Sequence, residues 1–445
     1  MINTVLQDWV SLFDKNKESF FLSNEKLSWT YGDLLFAIQK CDDEIKDLEP
    51  GVCLVESDYS LNSVAWLIAG LSYNWTVVPV VSNNNEIINT RIEISRATHK
   101  VSENSDWHLR PITNPNQPNN SENRNEEFGP SIVLFSSGST GKPKAMCKEF
   151  DIKLKQSDIT NKKPLTMGLL LLFDHIGGLN TLLSGLKKAV HLVAPLERNP
   201  RTMAELIEKH SVRVLPCSPT FLNMMYLDGI FEEFNFNSLR LVTYGTERMP
   251  EGLLSRLSKH LPKTKFLQTF GTSETGIVKT KSLSSSSTFL TIDDPSVDWK
   301  VVNNELWLKT KTQISGYMNV SEQAISDGWF KTGDLVEMQD TTYFKIIGRK
   351  KEVINVGGEK VLPAEIEDLL MTLEQVVDCT AFSLPNGITG QAVGVRVVPK
   401  TGVDLKTLKK EIRSISRKHL ESYKVPVKIM FKPDLQHTDR FKKER

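Results

Sequence analysis

The residues best placed to do chemistry crowd into SSGSTGKPKA, where Ser136, Ser137, Gly138, Ser139, Thr140, Gly141, Lys142 and Lys144 follow one another almost without interruption. Hydroxyl side chains and glycines leave backbone N–H groups open to an anion, and the two lysines add positive charge beside them. That combination suits a polyphosphate. A Walker loop needs a longer spacer between its first glycine and a Gly-Lys pair, followed by Ser or Thr opening a helix. Here Gly138 and Gly141 stand too close together and Pro143 follows Lys142, so the ordinary ATPase or kinase loop is disfavoured.

A loop of this kind needs a rigid lead-in, and SIVLF supplies an apolar, β-rich run immediately before it. Comparable runs (VCLVE, WTVVPVV, KAVHLV, VRVLP, LRLVTY) alternate with helix-like stretches (AWLIAGLSY, RTMAELIEKH, EGLLSRLSKH), the signature of α/β layers. PITNPNQPNNSENRNEEFG is too polar to bury much surface and reads as a surface connection, as does the shorter SLSSSSTF. After about residue 348 the texture changes, because GRKKEVINVGGEK packs charges and glycines into a turn-rich stretch. The expected division is a large α/β domain over 1–347, a hinge over 348–351 and a small α+β domain over 352–445. In the last, Pro363 opens a helix with Ile366, Leu369 and Leu370 on its apolar face. VDCTAFSLP and QAVGVRVVP flank NGITG as strands, and Leu405, Leu408, Ile412 and Ile415 recur at helical spacing. KVPVKIMF closes the unit as a strand before the basic tail HTDRFKKER.

At 445 residues the chain exceeds what one hydrophobic core usually organises. Its formal charge of +1 offers no global attraction to nucleic acid or acidic membranes, which favours small-molecule chemistry. Cys41, Cys53, Cys147, Cys217 and Cys379 lie far apart without paired spacing, arguing against a disulfide framework or a zinc site. The first residues lack the basic-then-apolar order of a signal peptide, and LTMGLLLLF is too short to span a bilayer. A cytoplasmic protein, monomeric or homodimeric, with no membrane span and no nucleic-acid partner is expected.

Four further stretches, in order with the first, make the chain resemble the adenylate-forming superfamily of acyl- and aryl-CoA synthetases, luciferases and adenylation domains of peptide synthetases. The resemblance implies that SSGSTGKPKA holds the outer phosphates of ATP. FGTSETG is similar to the family's Tyr-Gly-x-Thr-Glu motif, with Phe270 packing on adenine, Gly271 and Thr272 beside it, Ser273 near the α-phosphate and Glu274 as the magnesium ligand. In GWFKTGDL, Asp334 would accept from the ribose hydroxyls, with Arg349 nearby and Lys351 as the hinge pivot. TYGTERMP resembles the loop beside adenine and the acyl slot, lined by Gly245, Thr246 and Glu247. The ending HTDRFKKER looks like a shifted form of Pro-x-Thr-x-x-Gly-Lys-x-x-Arg: Thr438, Lys442 and Arg445 match, Gln436 and Phe441 depart, and Lys443 competes with Lys442 for the catalytic role.

The implied reaction is attack of a carboxylate on the α-phosphorus of ATP, with Mg2+ and Lys442 offsetting the gathering negative charge, and then transfer of the acyl group to the thiol of coenzyme A or of a carrier protein's phosphopantetheine. FDHIGGLN falls where the family places the acid: His175 gates the carboxylate, and Asp174, Gly177 and Gly178 complete the pocket. His175-Ile-Gly-Gly favours an aryl or fatty acid, whereas Phe173-Asp174 echoes the pair by which amino-acid-activating domains hold an α-amine. A relative that binds nucleotide without turnover is the third reading, prompted by Phe441. Taken alone, FGTSETG could cap a helix and the DGW that precedes TGD could form a hairpin turn.

Overall fold

The computed structural model describes residues 4–112, 130–136, 143–149, 154, 165–311, 313–314, 316–320 and 325–433. Ser137, Gly138, Ser139, Thr140, Gly141, Lys142 and the tail with Lys442 therefore lie outside the described residues.

Two mainly parallel sheets form the large part of the chain. One runs Lys265–Gln268, Leu241–Tyr244, Val214–Cys217, Thr166–Gly168, His191–Val193, Phe20–Ser23, Ser28–Thr30, antiparallel at the last pair. The other runs Arg110–Pro111, His99–Ser102, Val52–Glu56, Thr76–Val80, Ser131–Ser136, Lys144–Glu149, antiparallel at both edges. Val, Leu and Ile fill these strands because both faces are covered, which is why they read as unbroken apolar runs. Helices Tyr31–Ile45, Leu61–Ser72 and Ile176–Lys187 share one core with strands of both sheets. Leu61–Ser72 is buried at every position from Ser63 to Ser72, as its all-apolar circumference requires.

A third, antiparallel sheet carries Trp329–Met338 beside Phe344–Arg349 and packs Phe270, Leu290, Leu306 and Phe344 together. The small unit follows: Glu359–Val361, Ile354–Val356, Gly390–Pro399 and Val376–Asn386 in order, with Lys428–Phe431 parallel to Gly390–Pro399. Helices Pro363–Leu370 and Leu405–His419 complete its core through Ile366, Leu370, Leu408 and Ile412. Pro363 occupies the first helical turn, where its missing N–H has no partner to lose. The strand Phe344–Arg349 carries the first two hinge residues within the third sheet, and Lys351 sits in the short turn Lys350–Glu352 that leaves it. No helix among the described residues is long and apolar enough to cross a membrane.

Candidate active site

Parallel strands end with their carboxyl edges open, and loops leaving those edges are where such sheets bind ligands. Val214–Cys217, Leu241–Tyr244 and Lys265–Gln268 all end at one cavity of about 760 Å³, whose far wall comes from the third sheet and the small unit. Ser136, Lys144, His175, Gly177, Gly245, Thr246, Glu247, Phe270, Gly271, Thr272, Ser273, Glu274, Asp334, Arg349 and Lys351 all line it. Positions spread over about half the chain are thus brought together, and the volume suits a ligand of nucleotide size.

Each contributes through its local backbone. FGTSETG forms a hairpin, Phe270–Thr272 against Gly276–Val278, rather than a helix cap. A Cβ on Gly271 would stand 2.5 Å from the Gly276 carbonyl oxygen, so only glycine fits there. Phe270 is buried in the third sheet's core. The DGW turn joins Ile325–Ser326 to Trp329–Met338 with Asp327 and Gly328 both at positive φ, whereas Thr332, Gly333 and Asp334 lie within the strand. Strand register then sets Asp334 opposite Arg349. Arg349 Nε lies 2.8 Å from Asp334 Oδ1, and its guanidinium also donates to the Thr332 carbonyl at 3.0 Å.

In the loop after Tyr244, Thr246 has φ +71°, a left-handed conformation costly for a β-branched residue, and its buried hydroxyl has no hydrogen-bond partner among the described residues. Glu247 Oε1 accepts from the Thr220 N–H at 2.7 Å, at the start of helix Pro219–Leu227. Negative charge is favourable there, which pins the loop. The adjacent Arg248 donates twice to Asp368 at 2.8 Å and ties the same loop to the small unit.

His175 caps helix Ile176–Lys187, its Nδ1 accepting from the Gly177 N–H at 3.2 Å. Two residues expected in the acid pocket stand behind the wall. Asp174 turns to the Val81 backbone, with Oδ2 and the N–H 3.5 Å apart. Gly178 is a packing residue: a Cβ there would come within 2.0 Å of the Leu172 carbonyl oxygen and 2.4 Å of the Tyr59 hydroxyl. Cys217 lines the cavity too, but burial pushes its thiol well above the ordinary range, so it serves as packing and not as a nucleophile.

Four features escaped motif reading. The side-chain carbonyl of Gln268, buried in the cavity wall, has no hydrogen-bond partner among the described residues. Tyr317 donates to Glu274 Oε1 at 2.9 Å, and Asn319 bonds Pro143 and Ala145. Lys148 is buried, its ammonium without a hydrogen-bond partner among the described residues. Burial lowers it to about 8, with the nearby Glu274 charge opposing the shift. The sequence offered a faint signal for two of these in GYMN, whose aromatic and amide lie between recognised motifs without a spacing rule to mark them.

An orphaned acceptor and an aromatic wall fit the amino-bearing ring of a nucleotide, and one carboxylate beside lysines fits a magnesium ion that takes its remaining ligands from phosphate and water. Among the described residues no group of three or more His, Cys, Asp or Glu gathers to hold a metal by protein ligands alone.

Residues 51–328 match the AMP-binding enzyme family, and residues 365–442 match the AMP-binding enzyme C-terminal domain. Similar proteins include the long-chain-fatty-acid–CoA ligase of Haemophilus influenzae, 26% identical over 56% of this chain and 47% of that protein. Acyl-CoA synthetase 7 of Caenorhabditis elegans is 26% identical over 69% of this chain and 62% of its own length. The chain thus spans about half to three-fifths of the curated relatives it matches. An anthranilate CoA ligase solved with anthranoyl-AMP shares the fold at a TM-score of 0.78 and 15% identity, over 98% of this chain and 95% of that one. The o-succinylbenzoate CoA synthetase of Bacillus subtilis does so at 0.77 and 18%, over 99% and 96%. With both family matches falling in order on the chain, and with the described motif residues lining one cavity, the protein belongs to the AMP-binding enzymes of the adenylate-forming superfamily.

Proposed function

We propose that the protein activates an aryl or fatty carboxylic acid with ATP and transfers the acyl group to coenzyme A. The observation that carries this reading is the convergence of Lys144, Gly245–Glu247, Phe270–Glu274 and Asp334–Arg349 on one cavity. CoA-ligase activity in the names of the relatives supports the acceptor. A carrier-protein phosphopantetheine would present the same thiol.

In the first step a carboxylate oxygen bonds to the α-phosphorus of ATP, the bond from that phosphorus to the α,β-bridging oxygen breaks, and pyrophosphate leaves. No general base is required, because the nucleophile is already an anion. What the site must supply is positive charge and N–H donors where phosphoryl charge develops. Lys144 and residues 136–142 hold the outer phosphates, Asp334 accepts from the sugar, and Phe270 packs against the base. Glu274 would hold a magnesium ion there, which would supply positive charge to offset that of the leaving pyrophosphate. Lys442 completes the charge at the reacting phosphorus. His175 is fixed by its bond to Gly177 so that its ring borders the acid. In the second step the thiol sulfur bonds to the acyl carbon and AMP leaves, with the small unit turned about Lys351.

The amino-acid reading assigns the α-amine to Asp174, which approaches the Val81 N–H and is not among the residues lining the cavity. Five unbridged cysteines fit a reducing compartment, the cytoplasm. The test is release of pyrophosphate from ATP in the presence of a panel of aryl, fatty and amino acids. Acid-dependent release with an aryl or fatty acid, followed by a CoA thioester, supports the proposal. Release with amino acids alone, or with none of the panel, overturns it.

A further inference from the structure

The segment holding Ile314 and residues 316–319 belongs to none of the motifs that pointed to the site, yet it grips two of them. Asn319 Nδ2 donates to the Pro143 carbonyl at 2.8 Å, while its Oδ1 accepts from the Ala145 N–H at 2.9 Å. The Met318 N–H donates to the Ala145 carbonyl at 2.9 Å. These bonds straddle Lys144, whose ammonium lies 5.1 Å from the centre of the Tyr317 ring. Two residues before Asn319, the Tyr317 hydroxyl donates to Glu274 Oε1 at 2.9 Å, and the Ile314 N–H donates to the Glu274 carbonyl at 2.9 Å.

A side-chain amide can donate to a carbonyl from its NH2 while its oxygen accepts from an N–H, as a strand's own peptide groups do. Asn319 therefore stands in for a missing strand partner at the exit of the glycine-serine loop. Tyr317 fixes the orientation of a carboxylate that thermal motion would otherwise spread over rotamers. Resting on the reading that this cavity takes ATP, we propose that Tyr317 and Asn319 are positioning residues: a single strut that sets Lys144 and Glu274 at a fixed separation, so that both halves of the polyphosphate site meet MgATP already arranged. Preorganisation of this kind lowers the ordering cost of binding and keeps charge where it must act.

The experiment combines hydrogen exchange on the nucleotide-free protein with calorimetric titration of MgATP, for wild type, Asn319→Ala, Asn319→Asp and Tyr317→Phe. In Asn319→Ala the Ala145 amide is expected to exchange about tenfold faster or more and MgATP to bind about tenfold more weakly, the worth of a lost bond network of this size. Asn319→Asp still accepts from Ala145, so its amide protection persists while MgATP affinity falls by less. Tyr317→Phe should need more magnesium for half-maximal ATP binding and recover as magnesium is raised. In acid-dependent pyrophosphate exchange, KM for ATP rises in these variants while KM for the acid stays within about twofold, a split that general loss of structure would not give. Unchanged Ala145 exchange and MgATP affinity in Asn319→Ala overturn the strut. If that variant fails to fold, unchanged affinity in Asn319→Asp does the same. A wild type that binds MgATP yet turns over no acid overturns the ligase reading alone, since exchange and calorimetry still judge the strut. A wild type that binds no MgATP overturns both.

Discussion

The Asp334 end of the cavity and its Lys144 end are assembled by opposite means. Asp334 and Arg349 belong to neighbouring antiparallel strands, and register alone puts them face to face, with the carboxylate almost wholly buried. Lys144 begins the strand Lys144–Glu149 and Glu274 lies in the turn between Phe270–Thr272 and Gly276–Val278, and these distant segments are joined through Tyr317 and Asn319 by bonds such as Asn319 to Pro143 and Tyr317 to Glu274. One end is therefore stiff because a ladder of backbone bonds would have to break to move it. The other depends on a handful of contacts, each individually worth about 0.5 to 1.5 kcal/mol. A site built this way has one end set by strand register and the other set by a strut between distant segments.

The comparison can be broken first at the reacting end. Lys442→Ala is expected to lower acid-dependent pyrophosphate exchange by a factor of hundreds, about 3 to 4 kcal/mol, while thioester formation from supplied acyl-adenylate persists. Lys443→Ala should be mild, and the reverse ranking would move the catalytic cation by one residue. At the other end, Asp334→Ala should weaken ATP binding by about 1.5 to 3 kcal/mol, read by calorimetry, because a charged acceptor is lost. An unaltered affinity would remove Asp334 from the nucleotide site and with it the contrast between the two ends.

Lys148 sharpens the contrast through pH. Its ammonium is held to about 8 in the folded chain, below the ordinary lysine value. From about pH 8 up to the ordinary lysine value the unfolded chain binds a proton that the folded chain does not, so this residue makes stability rise with pH, by about 1.4 kcal/mol per unit at most. Below about 8 both states are charged and the full penalty of burial stands. Lys148→Met in the protein free of nucleotide and magnesium should accordingly raise Tm at pH 7 and lose most of that advantage by about pH 10, as thermal melts at the two values would reveal. Equal gains at both would mean that Lys148 titrates normally. The smallest effect is expected at Thr246→Gly, which relieves left-handed strain and should stabilise the chain by about 1 kcal/mol or less, while removing a hydroxyl from the cavity wall and weakening substrate binding. A lower Tm would show that the threonine side chain contributes more by packing than its backbone costs.

How far the sequence could be read varied with the range of the interaction. The strand SIVLF, the helix opening at Pro363 and the turn at DGW were legible because apolar periodicity and turn chemistry act over a few residues. FDHIGGLN was legible only in part. His175 and Gly177 reach the cavity, but the start of helix Ile176–Lys187 must pack Gly178 against Leu172 and Tyr59, and that packing turns Asp174 away. Tyr59 lies far upstream, so nothing in the local pattern could announce this.

By itself, the sequence determined the alternation of strands and helices and which short motifs could meet a nucleotide, since propensity, capping and glycine sterics are properties of neighbours along the chain. Only the tertiary structure decided that Arg248 ties its loop to Asp368, that Gln268 is buried in the cavity wall, and that Asn319 clamps Pro143 and Ala145. Contacts of that kind form between segments whose approach is set by burying whole sheets and helices together. A hydrogen bond contributes far too little to direct that burial, and it forms only where packing has already brought its partners within reach.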